Sequence, residues 1–225
     1  MTPEAARSRK LEGVMFRKLC IFGASGATGL ALTQQALARG FAATAFVRSQ
    51  AAGPKLPPGT TVVVGNLPDR GDVARAVAGC DAVICAIGPR PSSPEPFCSE
   101  ATKNILGAMQ ATCVRRLICL TGAMVGDYPH LSWFMRMMRN SYQKQQPALA
   151  ADRAEQERLV AASGLLWTAV KPPRLTSSAA RGSVRSGENL KVGAFASVSR
   201  ADLARFMLDE VESLEYVGKH VVVLY

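Results

Sequence analysis

The stretch from Lys18 to Gly40 constrains this chain most. Leu19, Cys20, Ile21 and Phe22 form an apolar run of single-strand length, and glycines follow at positions 23, 26 and 29. Leu30, Thr33, Gln34 and Leu37 then recur at helical spacing until Gly40 interrupts them. Strand, glycine turn and helix in that order point the turn amides and the positive end of the helix dipole the same way. That arrangement suits a pyrophosphate. Each glycine meets its own demand: a tight turn, close approach of backbone to phosphate, and close packing of helix on strand. Gly23, Ala24, Ser25, Gly26, Ala27, Thr28 and Gly29 are therefore the first candidate binding residues, and a dinucleotide is the ligand they suit.

The rest of the chain repeats the alternation. Strand-like runs cover residues 41–47, 60–64, 81–87, 115–120, 165–170 and 217–224, with helical patterns between most of them. The run 60–64 is β-branched throughout, as burial on both faces would favour. Pro54, Pro57 and Pro58 mark residues 50–59 as a loop, and Pro91, Pro94 and Pro96 put residues 90–97 on the surface. The alternation breaks over residues 124–146, where Trp133, Phe134, Met135, Met137 and Met138 read first as core and second as a roof over a flat ligand. Residues 176–193 read as a polar loop with a short hairpin. Ser199 with Asp202 resembles a capping box ahead of a helix that turns Leu203, Phe206 and Met207 inward. The fold class expected is α/β: a single-domain, Rossmann-like, doubly wound parallel sheet with helices on both faces, over residues 15–225. Residues 1–14 read as a solvated, flexible extension, and Met15 is a second candidate start.

Composition narrows the function classes. The chain has 225 residues, 48% hydrophobic and 20% charged, enough for one full core. No apolar run reaches the roughly 18 residues of a spanning helix, so no membrane partner is expected. Six cysteines show no C-x-x-C pair, which fits a reducing cytoplasm, and His130 and His220 stand too far apart to suggest a metal site. The net charge of +10 is spread without interleaved aromatics, and part of it lies in the first 18 residues. No nucleic-acid partner is expected; an anionic cofactor or substrate accounts for part of the excess.

In an open parallel sheet, ligands lie beyond the carboxyl ends of the strands. Glycine or polar clusters fall there repeatedly: 23–29, 48–49, 65–67, 86–90, 121–123 and 171–174. Arg48 ends the second strand, where an acidic residue would accept hydrogen bonds from a ribose. Its guanidinium suits a 2′-phosphate instead, and Ser49 adds a hydroxyl, so NADP(H) is the expected cofactor. A tyrosine with lysine four residues on, the usual proton donor for carbonyl reduction, is absent. Ser132, Gln146 and His220 follow Tyr128, Tyr142 and Tyr216 at that spacing, and Tyr225 is the last residue. Glu155 and Glu157 read as a solvated helix face.

The runs IFGASGATG, VVVGNL, V-x-x-AVAGCDAVICAIG, SEATKNILGAM, SGLLWTAVKPP and ADLARFML, in this order, resemble the atypical short-chain dehydrogenases of the NAD(P)-binding, NmrA-like group. Within it they are most similar to the biliverdin-IXβ reductase/flavin reductase subgroup. The resemblance implies that Asn66 and Leu67 flank the adenine. It places Ala86, Ile87, Gly88 and Thr121 on the ribose–nicotinamide half, and Lys171, Pro172 and Pro173 beside the nicotinamide. A second family arginine falls on Ala52. On the acceptor side the family's T-S-A run becomes Thr121, Gly122, Ala123, with Met124 next, and the histidine after the Pro-Pro pair becomes Arg174. Hydride transfer to a flavin tolerates both changes, whereas tetrapyrrole reduction fits them less well. Arg174 suits an acceptor carboxylate or phosphate, or else a structural salt bridge. The implied activity is NADPH-dependent reduction of a flavin or similar flat acceptor, with the flavin as substrate and not as a tightly bound group. A non-catalytic NADP(H) sensor is the alternative.

Overall fold

Buried on both sides, the run after Arg17 becomes the middle strand of a sheet. In the computed structural model, which describes residues 16–88, 96–126 and 128–225, β1 (Lys18–Phe22) leads into α1 (Ala27–Ala38) and β2 (Ala42–Val47). Then come β3 (Thr61–Val64), α2 (Arg70–Val77), β4 (Ala82–Cys85), α3 (Cys98–Ala111) and β5 (Arg116–Leu120). Next are α4 (Trp133–Gln145), α5 (Pro147–Ala161), β6 (Leu166–Lys171), β7 (Arg174–Thr176) and β8 (Arg185–Gly187). The last elements are β9 (Ser197–Ser199), α6 (Arg200–Ser213) and β10 (Lys219–Leu224). The expected extension 1–14, Met15 and most of the proline loop, residues 89–95, lie outside the described residues.

The main sheet runs β3-β2-β1-β4-β5-β6-β10-β8, parallel except where β8 meets β10. Strand order reverses between β1 and β4, the point at which open α/β sheets leave a crevice. Side chains alternate across the sheet as the strand period requires. Leu19, Ile21, Ala82 and Ile84 pack toward α1 and α6, while Cys20, Phe22, Val83 and Cys85 pack toward α2, α3 and α5. A buried ion pair crosses this core. Arg116 is fully buried and donates to Glu210, to the Leu166 carbonyl and to the Thr168 hydroxyl, tying β5 and β6 to α6. Burial pushes its guanidinium down to about 10, against the opposing pull of Glu210.

Several expectations need correction. β3 is the sheet edge, with a single neighbour, so its valines are half-exposed and not buried on both faces. The buried stripe of α1 centres on Leu32, Thr33 and Ala36, with Gln34 exposed. A 3-10 turn, Gln50–Lys55, occupies part of the expected loop. No hairpin forms within 176–193: β7 pairs parallel with β9, and β8 joins β10 at the sheet edge. Only half of a capping box forms at α6. The Ser199 hydroxyl accepts from the Asp202 amide, but the Ser199 amide donates to Tyr225 instead of Asp202. The Trp133–Met138 run is an α-helix with no buried residue, so it is not core; Met135 packs against the small cluster of Ala123, Tyr128 and Leu131.

Candidate nucleotide and acceptor site

The turn after β1 is shaped by backbone crowding. Gly23 has φ +81°, and a Cβ there would sit 2.5 Å from the Ala86 carbonyl oxygen, so the end of β1 presses directly on the strand end of β4. A Cβ at Gly29 would collide with the Gly23 carbonyl oxygen and Ala24, which locks α1 onto β1. Gly26 differs. Its backbone is ordinary, and a Cβ would lie 3.3 Å from one carbonyl oxygen, so the protein leaves nearly enough room for a side chain. The Cβ-free space faces outward, where a phosphate would approach.

Electrostatics agree with that space. Side chains cap α2, α4 and α6 through Asp69, Ser132 and Ser199, and Asp152 reaches across to the amides of Phe97, Cys98 and Ser99 at α3. Pro147 opens α5 without an N–H of its own. No side chain caps α1, so the orphan amides of its first turn are left to an anion.

A cleft of about 400 Å³ opens at this turn. It is lined by Gly23, Ser25, Gly26, Ala27, Thr28, Gly29, Arg48, Leu67, Ala86, Ile87 and Gly88, all expected from the sequence. Phe46, Val47, Phe97, Leu175 and Arg200 also line it and were not expected. Leu175 and Arg200 arrive through the β7–β9 pairing, which no local sequence signal announces; the Arg200 guanidinium donates to the Ser177 hydroxyl at 2.9 Å. A second hollow, about 520 Å³, shares Arg48, Leu67 and Phe97 with the first and adds Asn66, Arg70, Glu100 and Asn104. The Asn66 amide donates to Asp72 and Asn104 donates to the Leu67 carbonyl, which holds the loop that separates the hollows. Among the described residues, Arg48 and Arg70 make no ion pair. Two uncommitted guanidiniums therefore border a partly apolar recess, which fits a phosphorylated nucleotide.

Other expected residues lie elsewhere. Ala24 is fully buried beneath the turn, and Ser49 is exposed just ahead of the 3-10 turn. Thr121, Gly122, Ala123, Met124, Pro172, Pro173 and Arg174 gather at the carboxyl ends of β5 and β6, outside the first cleft's lining. There the Thr121 amide donates to the Val170 carbonyl and the Ala123 amide to the Pro172 carbonyl, stitching the two strand exits together. A Cβ at Gly122 would make ordinary contact, 3.6 Å from Val125 Cγ2, so the backbone does not require glycine there. Arg174 is exposed and has no ion pair among the described residues, which disposes of the salt-bridge reading.

Lys171 turns its side chain away from the cleft. Its ammonium lies 2.5 Å from Glu157 Oε1 and 2.7 Å from the Val125 carbonyl oxygen, with the side chain 3% exposed. Burial pushes its pKa down, and Glu157 opposes that push. Glu157 is thus a buried ion-pair partner and not a solvated residue, whereas Glu155 is half-buried at the surface and pairs with Arg158. His220 stands 4.0 Å from Glu157, its imidazole pushed down by burial. This cluster anchors the 122–126 loop to α5 and the sheet.

Known proteins share the whole architecture. A putative NAD-dependent epimerase/dehydratase from Bacillus halodurans superposes with TM-score 0.78 at 20% identity, over 92% of this chain and 94% of that one. The anaerobilin reductase ChuY from Escherichia coli O157:H7 gives 0.76 at 22% identity, over 92% and 96%. A short-chain dehydrogenase/reductase from Veillonella parvula, solved in complex with NADP, gives 0.76 at 16% identity, over 93% and 94%. At these identities the likeness is one of fold. Residues 23–213 match the NAD(P)H-binding family, a span that begins at the first turn glycine and ends with the last residue of α6. The chain belongs to the NAD(P)H-binding family.

Proposed function

We propose that this protein is an NADPH-dependent oxidoreductase that reduces a flavin or similar flat conjugated acceptor. The observation that carries the reading is Arg48: it directly follows β2 beside an uncapped helix N-terminus, borders both hollows and has no ion-pair partner among the described residues. When bound, the nicotinamide supplies the hydride. The chain's share is to bind and to orient. The α1 amides and the space before Gly26 take the pyrophosphate, Arg48 the 2′-phosphate, and Leu67 and Phe97 the flat face of the adenine. Stacking a flat acceptor at the exits of β5 and β6 requires no dedicated acid, in keeping with a sequence that has no tyrosine followed by lysine four residues on. Solvent delivers the proton. Exposed and unpaired, Arg174 favours an acceptor with a carboxylate or phosphate.

The same missing Tyr-x-x-x-Lys pair supports the second reading, a sensor that binds NADP(H) without turnover. Absorbance of NADPH followed with FMN, FAD or biliverdin separates the two. Consumption with a flavin supports the reductase, and tight NADPH binding with no consumption supports the sensor. For the cofactor, Arg48→Glu should weaken NADPH at least tenfold more than NADH; equal losses would show that Arg48 does not meet the 2′-phosphate.

A further inference from the structure

Among the described residues, the large apolar side chains left exposed are Val64, Trp133, Met137, Met138 and Phe195. Val64 belongs to the sheet edge. The other four collect in one region: three on α4, and Phe195 in the turn where the Ala196 amide donates to the Gly193 carbonyl. That turn adjoins the start of α4, because the Ser132 amide donates to the Val192 carbonyl and Leu131 bridges Val192. Trp133 is 70% exposed and Phe195 91%, values at which each ring projects into solvent with little cover.

Along α4 and its flanks the charge has one sign. No carboxylate occurs from Tyr128 to Ala151. Trp133 and Met137 share a shallow trough with Arg136, Asn140, Ser141 and Lys144, and neither Arg136 nor Lys144 has an ion pair among the described residues. Arg139 is engaged below, donating to the Gly126 carbonyl at 3.4 Å, and Lys191 is exposed beside the 193–196 turn.

We propose that this face docks the protein on an anionic lipid surface. Projecting indole and phenyl rings among uncommitted cations suit a headgroup layer, which offers phosphates to Arg136 and Lys144 and apolar depth to Trp133 and Phe195. A second copy of the chain would set these cations against their own kind. An acidic protein would need pockets shaped for two separate rings, whereas a fluid lipid layer needs none. Contact of this kind requires no spanning helix, and no helix of the described residues is long and apolar enough to span. The Arg174 amide donates to the Ala196 carbonyl, so docking brings the β6 exit close to the lipid. The proposal does not depend on which acceptor the protein reduces.

The test is sedimentation of the full chain with vesicles of phosphatidylcholine alone or mixed with phosphatidylglycerol. Binding to the mixed vesicles only, reduced by added salt, is expected. Trp133 emission should shift to the blue on binding, while Trp167, already buried, contributes a constant background. Both the Arg136→Glu/Lys144→Glu and the Trp133→Ala/Phe195→Ala variants should bind at least about tenfold more weakly. Neither should change NADPH affinity, since none of the four residues lines either nucleotide hollow. The proposal is overturned by failure to bind mixed vesicles, by salt-insensitive binding to neutral ones, or by variants that bind as well as the parent. Retention on polyglutamate without vesicle binding would assign the face to an acidic protein and overturn it as well.

Discussion

Gly23 and Gly29 are glycine because of the backbone behind them, whereas at Gly26 a Cβ would meet only the Gly23 carbonyl oxygen, and the proposed cause there is a phosphate approaching from the front. Substitution should separate the two causes. Gly29→Ala forces a methyl into the Gly23 carbonyl and should cost of the order of 3 kcal/mol in a urea titration. Gly26→Ala should leave stability within about 1 kcal/mol of the parent and still weaken NADPH binding severalfold by calorimetry. The turn was readable from the chain because its constraint is local. The roles of charged residues were not. Glu157 read as part of a solvated helix face and Arg116 as one of many dispersed basic residues in the sequence, yet both are buried with partners on other elements, Lys171 and Glu210. Nothing near either residue in the chain signals the partner. Lys171→Met should cost about 3–5 kcal/mol in urea, because it strands the Glu157 charge in the interior. Lys171→Met with Glu157→Leu should recover most of that loss.

Helix termini carry information beyond their own element. Asp152 sits on α5 but accepts from the amides of Phe97, Cys98 and Ser99 and from the Ser99 hydroxyl, so one helix caps another. Burial works against the Asp152 charge; the Ser99 hydroxyl and the three amides outweigh it and hold the carboxyl below the usual range. The linkage has a definite sign. A carboxyl with a lowered pKa in the folded state stabilises the fold above its unfolded value of 3.8 and loses that contribution as pH falls through the folded value. Asp152→Asn should therefore lower stability near neutral pH by about 1–2 kcal/mol, and the acid arm of its stability curve below about pH 4 should be shallower than the parent's. At this scale the sequence was informative where periodicity met burial, as in α6, whose Leu203 and Met207 face inward. It was misleading at α4, where aromatic and methionine spacing fits a core helix equally well and only the surrounding tertiary structure decides exposure.

The parallel, doubly wound centre of the sheet could be read ahead of the structure, because strands alternate with helices along the chain. The two outer pairings could not. β7 with β9 and β8 with β10 join segments that other elements separate in the chain, and the three-residue strands β7, β8 and β9 carry too little pattern to announce a partner. The first of these pairings delivers Leu175 and Arg200 to the nucleotide cleft, so that the part of the site least legible in the chain depends on the least legible part of the sheet.

The packing of α1 against α6 also has a consequence in time. Leu32 and Ala36 lie under Leu203, Met207 and Leu208, Gln35 donates to the Ala201 carbonyl, and Arg39 pairs with Asp209. The nucleotide-binding turn is made early in synthesis, yet the helix that follows it gains its cover only when the last helix emerges. At about 5–20 residues per second that interval is roughly ten to thirty seconds. During it the turn exists as chain but not as a site. A fragment that stops after β6 should show neither a cooperative thermal transition by circular dichroism nor NADPH binding, despite containing every glycine of the turn.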